Sequence, residues 1–69
     1  MTLATAEYLR QQIQLINDLL KQLGAIRAEV GKLDDEYKHD VVRDLDGAAQ
    51  SLREARQLLA IQVEHPLRY

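Results

Sequence analysis

Apolar side chains recur at helical spacing along nearly the whole chain, and this periodicity limits the fold more than any other feature of the sequence. With Ala6 and Val42 placed at heptad position a, the a and d positions are apolar except at two arginines. These positions hold Ala6, Leu9, Ile13, Ile16, Leu20, Leu23, Arg27 and Val30, then Val42, Leu45, Ala49, Leu52, Arg56, Leu59 and Val63. Position g adds further apolar residues, which widens the stripe to that of a bundle core. Strand alternation fits neither segment, so the pattern predicts two long helices.

The first helix is predicted to span about residues 3–30. Thr2 or Thr5 is a suitable N-cap, because a threonine hydroxyl accepts from the first free amides of a helix. Gly31 is expected at the C′ position, where glycine enters the left-handed conformation without a steric penalty. Gly24 is a competing stop or kink. We favour a continuous helix, because the heptad phase runs through Gly24 and an internal glycine costs only about 1 kcal/mol.

The second helix is predicted to span about residues 35–64, after a short turn. Asp34 is the expected N-cap. Pro66 is the only proline, and it pushes the residue before it out of the helical region. The tail, residues 65–69, is therefore predicted to be irregular.

These elements predict an all-α protein with a single domain, residues 1–69, folded as an antiparallel two-helix hairpin. A chain of 69 residues buries little surface alone, and two paired amphipathic helices leave part of each apolar stripe open. Dimerisation of the hairpin into a four-helix bundle would close the core. The predicted dimer core is Leu9, Ile13, Ile16, Leu20, Leu23, Leu45, Leu52 and Leu59.

Composition excludes several classes of function. The chain has no cysteine, which rules out disulfides and thiolate metal sites, and its apolar runs are too short for a membrane span. The N-terminus has no signal-peptide pattern, so we expect a cytoplasmic protein. A net charge of −2 without Phe or Trp argues against nucleic acid as a partner. Ser51 is the only serine and is arranged with neither histidine, so we expect no enzyme and no cofactor.

Glu36 and His39 have the E-x-x-H spacing that supplies two metal ligands in di-iron bundles. They fall at positions b and e, outside the apolar stripe, and no inward carboxylate of the first helix joins them. A solvated first turn is the favoured interpretation, and no metal site is predicted.

Two regions are candidate partner-binding surfaces. Tyr8 and Leu15 share position c among neutral polar residues, an arrangement typical of an interaction patch or of an additional dimer contact. Tyr37, His39 and Asp40 lie at the start of the second helix, within a run that holds six of the eleven acids in thirteen residues. This acidic end would either meet a basic partner surface or remain a solvated face. Tyr37 would either anchor a partner or cover the apolar residues of the turn.

Arg27 and Arg56 occupy a positions, where apolar residues are the rule. One interpretation is that their aliphatic stems are buried and their guanidinium groups reach the rim. The other is that they select the helix register or the partner, as polar a residues do in coiled coils.

The hairpin length and the acidic turn Leu33-Asp34-Asp35-Glu36, followed by a second amphipathic helix, resemble the Rop family of dimeric RNA-binding hairpins. That resemblance implies RNA recognition by a helix-1 face, here with Arg10, Gln14, Asn17 and Lys21. In size, charge and architecture the chain is also similar to small phage-encoded proteins of the anti-quorum-sensing type. This second resemblance implies inhibition of a host LuxR-type transcriptional activator by protein contact.

The favoured functional hypothesis is a non-enzymatic, dimeric module that binds a larger protein and inhibits or sequesters it. The alternatives are a Rop-like RNA-binding regulator and a purely structural oligomerisation unit.

Overall fold

A computed structural model describes residues 3–64, and the side chains from residue 5 onward. This part of the chain forms two α-helices, α1 (Leu3–Gly31) and α2 (Lys38–Glu64), which pack against each other. The predicted all-α helical hairpin is therefore confirmed. Thr2 and the tail, residues 65–69, lie outside the described residues.

Helix α1 is continuous through Gly24, as the heptad phase predicted. Helix α1 ends close to the predicted residue 30, but the prediction that Gly31 is a left-handed C′ residue was wrong. Gly31 is the last residue of α1, and no described glycine has a positive φ. The helix ends instead in a tightened turn, in which the amide of Lys32 donates to the carbonyl of Glu29 at 3.1 Å and that of Leu33 to Val30 at 3.0 Å. Such i to i−3 bonds satisfy the last carbonyls of a helix without a left-handed residue.

Helix α2 begins at Lys38, later than the predicted residue 35, and Asp34 is not its N-cap. The capping role belongs to Asp35 instead, because its Oδ1 accepts a hydrogen bond from the amide of Tyr37 at 2.8 Å. The side chain of an aspartate that binds the backbone two residues ahead holds the chain in a turn and delays the helix. The carbonyl of Tyr37 then accepts the bond from Val41 at 3.1 Å that opens α2.

Two polar pairs show that the helices run antiparallel in a single register. Arg27 bonds to Asp46, and Arg56 bonds to Asn17. The pairs are equally spaced on both helices, from 17 to 27 on α1 and from 46 to 56 on α2.

The interior of the hairpin is thin. Leu9, 8% exposed, is the only buried residue among residues 5–64, and the other apolar a and d residues are half-buried. The Cα trace measures 52 × 18 × 11 Å, so the fold is one layer of two helices. A single layer leaves each helix with solvent on most of its circumference.

Candidate interaction surfaces

The two sides of the hairpin differ in chemistry. On one side, which we call the polar flank, the e positions of both helices face each other across the a and d seam. Arg27 lies there with its Nε 2.7 Å and its Nη2 3.4 Å from the two carboxylate oxygens of Asp46. Arg56 lies on the same flank and donates from Nη1 to Oδ1 of Asn17 at 2.7 Å. Both a-position arginines thus turn away from the seam to polar partners on this side.

A shallow hollow of about 480 Å³ opens on the polar flank between the middle of α1 and the second half of α2. We call it the cationic groove; its lining residues are Gln14, Asn17, Leu20, Lys21, Arg53 and Arg56. Among these described residues there are three cations and no acid. Arg53 also borders the hollows on either side of the groove.

On the opposite side, helix α1 carries an exposed apolar line. Tyr8, Leu15, Leu19 and Ile26 are between 45% and 60% exposed. At about 100° per residue they fall within about 40° of one another around the helix, over a length of about 27 Å.

Helix α2 continues the apolar surface of α1 at three g positions, which hold the exposed side chains of Val41, Ala48 and Ala55. With the α1 line they form the surface that we call the apolar flank. Leu58 of α2 is turned about 60° away from Ala55 around the helix and borders a separate hollow with Glu54, Gln57 and Ile61. Charged residues interrupt the c and g positions of the described helices mainly near the loop, at Glu29 and Asp44.

The structure separates the five predicted partner-binding residues into two places. Tyr8 and Leu15 are exposed on the apolar flank, towards the open end of the hairpin. Tyr37, 62% exposed, and His39 lie at the loop end, about 35 Å from Tyr8 along α1. Asp40 is beside them, and its Oδ1 lies 3.2 Å from Nη2 of Arg43. No single surface of one hairpin contains all five.

Tyr37 precedes α2 rather than lying two residues inside it. It leaves the apolar residues of the turn open to solvent, since Leu33 and Val41 remain exposed. Its backbone, in contrast, is part of the turn through the bonds to Asp35 and Val41.

The eight residues predicted for the dimer core lie at a and d positions between α1 and α2 of one chain. Leu9 is buried and the other seven are half-buried: Ile13, Ile16, Leu20, Leu23, Leu45, Leu52 and Leu59. They build the hairpin interior, and each retains some exposed surface.

Glu36 lies in the loop and His39 on α2, so the E-x-x-H pair is not displayed on one helix. Within the described residues, no three acidic or histidine side chains gather in a way that could hold a metal ion. Neither described helix combines the length and the apolar composition needed to cross a membrane.

The apolar flank contains residues that the heptad count assigned to different positions of the helix. A straight α-helix drifts by about 20° per heptad against a 3.5-residue repeat. The α1 line therefore passes from position c at Tyr8 and Leu15 to position g at Leu19 and Ile26. Plotted at 3.6 residues per turn, the sequence would have shown one line. Compared with known proteins, the chain matches no family model, no curated sequence and no solved structure.

Proposed function

We propose that this chain is a non-enzymatic protein–protein interaction module, which forms a homodimer through its apolar flank and binds a larger protein. The observation that carries the proposal is the contrast between the small buried interior of the hairpin and its large exposed apolar surface. One residue is buried within residues 5–64, whereas nine large apolar side chains are exposed. Five of these nine lie on the apolar flank: Tyr8, Leu15, Leu19, Ile26 and Val41.

A second copy is the partner that best fits the apolar flank. A single hydrophobic core in so short a chain supplies little stability, and oligomerisation is a common remedy. Two-fold packing of the flank on itself would add a second layer to the hairpin and cover the half-buried a and d residues from outside. Ala48 and Ala55 leave room for helices to approach closely. The result would be the four-helix bundle that the apolar pattern predicts.

The loop end supports the second part of the proposal, which is the binding of a different protein. It lies beyond the ends of the apolar stripe and would remain open in a dimer formed through the flank. An exposed tyrosine is a common interface anchor, and Tyr37 stands here beside His39 and the acidic residues. Inhibition or sequestration of the bound protein is the finer form of the proposal. The likeness to phage-encoded inhibitors of transcriptional activators supports it through size, charge and architecture alone.

Charge placed on the apolar flank tests the dimer. In the double variant Leu19→Lys/Ile26→Lys, two ammonium groups would be desolvated at the proposed interface, which costs several kcal/mol. We expect sedimentation analysis to show a dimer for the native chain and a monomer for this variant, with reduced helicity by circular dichroism.

Ala25→Lys is the matched control, because Ala25 is exposed on the side of α1 that faces away from both the seam and the apolar flank. It should remain dimeric. A native chain that sediments as a monomer at micromolar concentration, or a dimer that survives both flank lysines, would overturn the proposed interface.

A further inference from the structure

The cationic groove is organised before any ligand arrives. The partly buried guanidinium of Arg56 is held by its bond to Asn17 at 2.7 Å. A guanidinium has five N–H donors, so most of those on Arg56 stay available. The groove also has an apolar floor at Leu20 and an amide at Gln14.

The other two cations of the groove have no acidic partner. Within residues 3–64, the side chains of Lys21 and Arg53 form no hydrogen bond or ion pair. Elsewhere in the described residues Arg27 pairs with Asp46, Lys32 with Glu29, and Arg43 with Asp40 and Asp44. Arg10 and Lys38 form no side-chain ion pair there. The groove therefore combines two unpaired cations with Arg56 and has no acid among its lining residues.

We propose that the cationic groove binds a short acidic segment of a partner protein. A carboxylate matches the planar fork of an arginine side chain and can accept two parallel N–H bonds from it. Two or three carboxylates can bind to the three cations of the groove, Lys21, Arg53 and Arg56. The apolar floor suits the aliphatic stems of glutamate side chains.

The surroundings of the groove favour a short acidic segment over a nucleic acid. The adjoining hollow towards the open end is bordered by Glu54 and Glu64, and the one towards the loop by Asp46. A polyanion that continued beyond the groove in either direction would meet these carboxylates. A segment with only a few acids would fit between them. The net charge of −2 also works against a long phosphate backbone.

This inference deepens the proposed function by naming a surface and the chemistry of its partner. The groove is built from one hairpin and lies on the flank opposite the proposed dimer interface. Its occupancy can thus be tested separately from dimerisation: sedimentation reports on the dimer, and peptide binding reports on the groove.

The test uses the full chain and a fluorescently labelled octaglutamate peptide, with binding followed by anisotropy at low salt. Lys21→Gln/Arg53→Gln removes both unpaired cations of the groove from exposed helical positions. We expect its affinity for octaglutamate to fall at least about tenfold, equivalent to about 1.4 kcal/mol. Helicity and sedimentation should not change.

Lys32→Gln/Arg43→Gln is the matched control, because it removes the same charge outside the groove. We expect it to change the affinity less than about twofold. The proposal is overturned if the two variants lose affinity equally, or if octaglutamate binds no better than octaglutamine. Tighter binding of a single-stranded RNA octamer that is lost only in the groove variant would overturn it in favour of a nucleic-acid site.

Discussion

The two arginines at heptad position a lie about 15 Å apart along the hairpin and differ in their surroundings. Arg27 is nearer the loop, and Arg56 is level with the middle of α1. Arg27 and Asp46 are both half exposed, so their ion pair is screened by water and contributes at most about 1 kcal/mol. Arg56 and Asn17 are partly buried, so their hydrogen bond is less exposed to water than the Arg27–Asp46 pair. Arg56 is therefore the arginine whose partner matters more for stability.

Asn17→Ala tests this difference, because it removes the acceptor from a partly buried guanidinium. A hydrogen bond to a charged group typically contributes about 1.5 kcal/mol or more, and the loss leaves Arg56 to find water at the edge of the seam. We expect urea denaturation to show a free energy of unfolding lower by about 1–1.5 kcal/mol.

A double-mutant cycle with Arg56→Ala should give a coupling energy of about 1 kcal/mol. Gln14→Ala is the control, since the Gln14 amide makes one side-chain hydrogen bond, an exposed one to Asp18 on the same helix. A coupling energy near zero would show that the 2.7 Å contact contributes nothing to the register of the hairpin.

At the residue scale, heptad spacing predicted where the two arginines lie but not which residues they contact. The heptad pattern located both arginines at a and offered burial of the stem or selection of register as alternatives. It could not name Asp46 and Asn17 as partners, because the identity of a facing residue depends on the helix register. The register in turn depends on the length of the loop, and the predicted turn was too short.

At the scale of the elements, helix α1 was predicted well and the start of α2 was not. Apolar periodicity was enough to predict a continuous α1. In the structure Gly24 has open space around it and no positive φ, so it does not interrupt the helix. The loop contains two consecutive aspartates, Asp34 and Asp35, which residue type alone does not distinguish as caps. Only the observed bond from the Tyr37 amide distinguishes Asp35 from Asp34.

The variant Asp35→Ala tests that assignment, and Asp34→Ala is its matched control. Both variants remove a single exposed carboxylate from the same loop. Asp35→Ala also removes the acceptor for the Tyr37 amide, and losing a cap of this kind costs about 1 kcal/mol.

We expect Asp35→Ala to lower the free energy of unfolding by that amount and Asp34→Ala to change it by less than about 0.5 kcal/mol. Chemical denaturation followed at 222 nm measures both. Equal effects would mean that the loop charge, and not the 2.8 Å bond, sets the stability of the turn.

At the scale of the whole molecule, the sequence predicted the residues between the two helices correctly, but it predicted only part of the exposed apolar surface. The a and d residues form the seam between the helices, as their period required. The apolar flank was only partly foreseen, because Tyr8 and Leu15 were placed on an outward face and Leu19 and Ile26 in the core stripe. The structure brings all four into one line, so a dimer interface and a Tyr8 binding patch now compete for the same side chains.

That competition makes Tyr37 the better candidate for contact with a different protein. The contributions of Tyr37 to the fold come from its backbone, whose amide donates to Asp35 and whose carbonyl accepts from Val41. Alanine preserves both bonds. The phenol ring is 62% exposed, so its removal takes away little packing.

We therefore expect Tyr37→Ala to keep the melting temperature of the native chain and to weaken capture of a protein partner at least tenfold, or about 1.4 kcal/mol. The partner is first retained from a lysate on the native chain and identified by mass spectrometry, and its affinity is then measured with purified proteins. Tyr8→Ala is the matched control, because the same ring is removed from the apolar flank, where the loss should weaken the dimer. Undiminished capture by a stable Tyr37→Ala dimer would exclude Tyr37 from the binding site and move the contact to Tyr8 and Leu15. A lower melting temperature with a parallel loss of capture would show instead that the ring stabilises the turn.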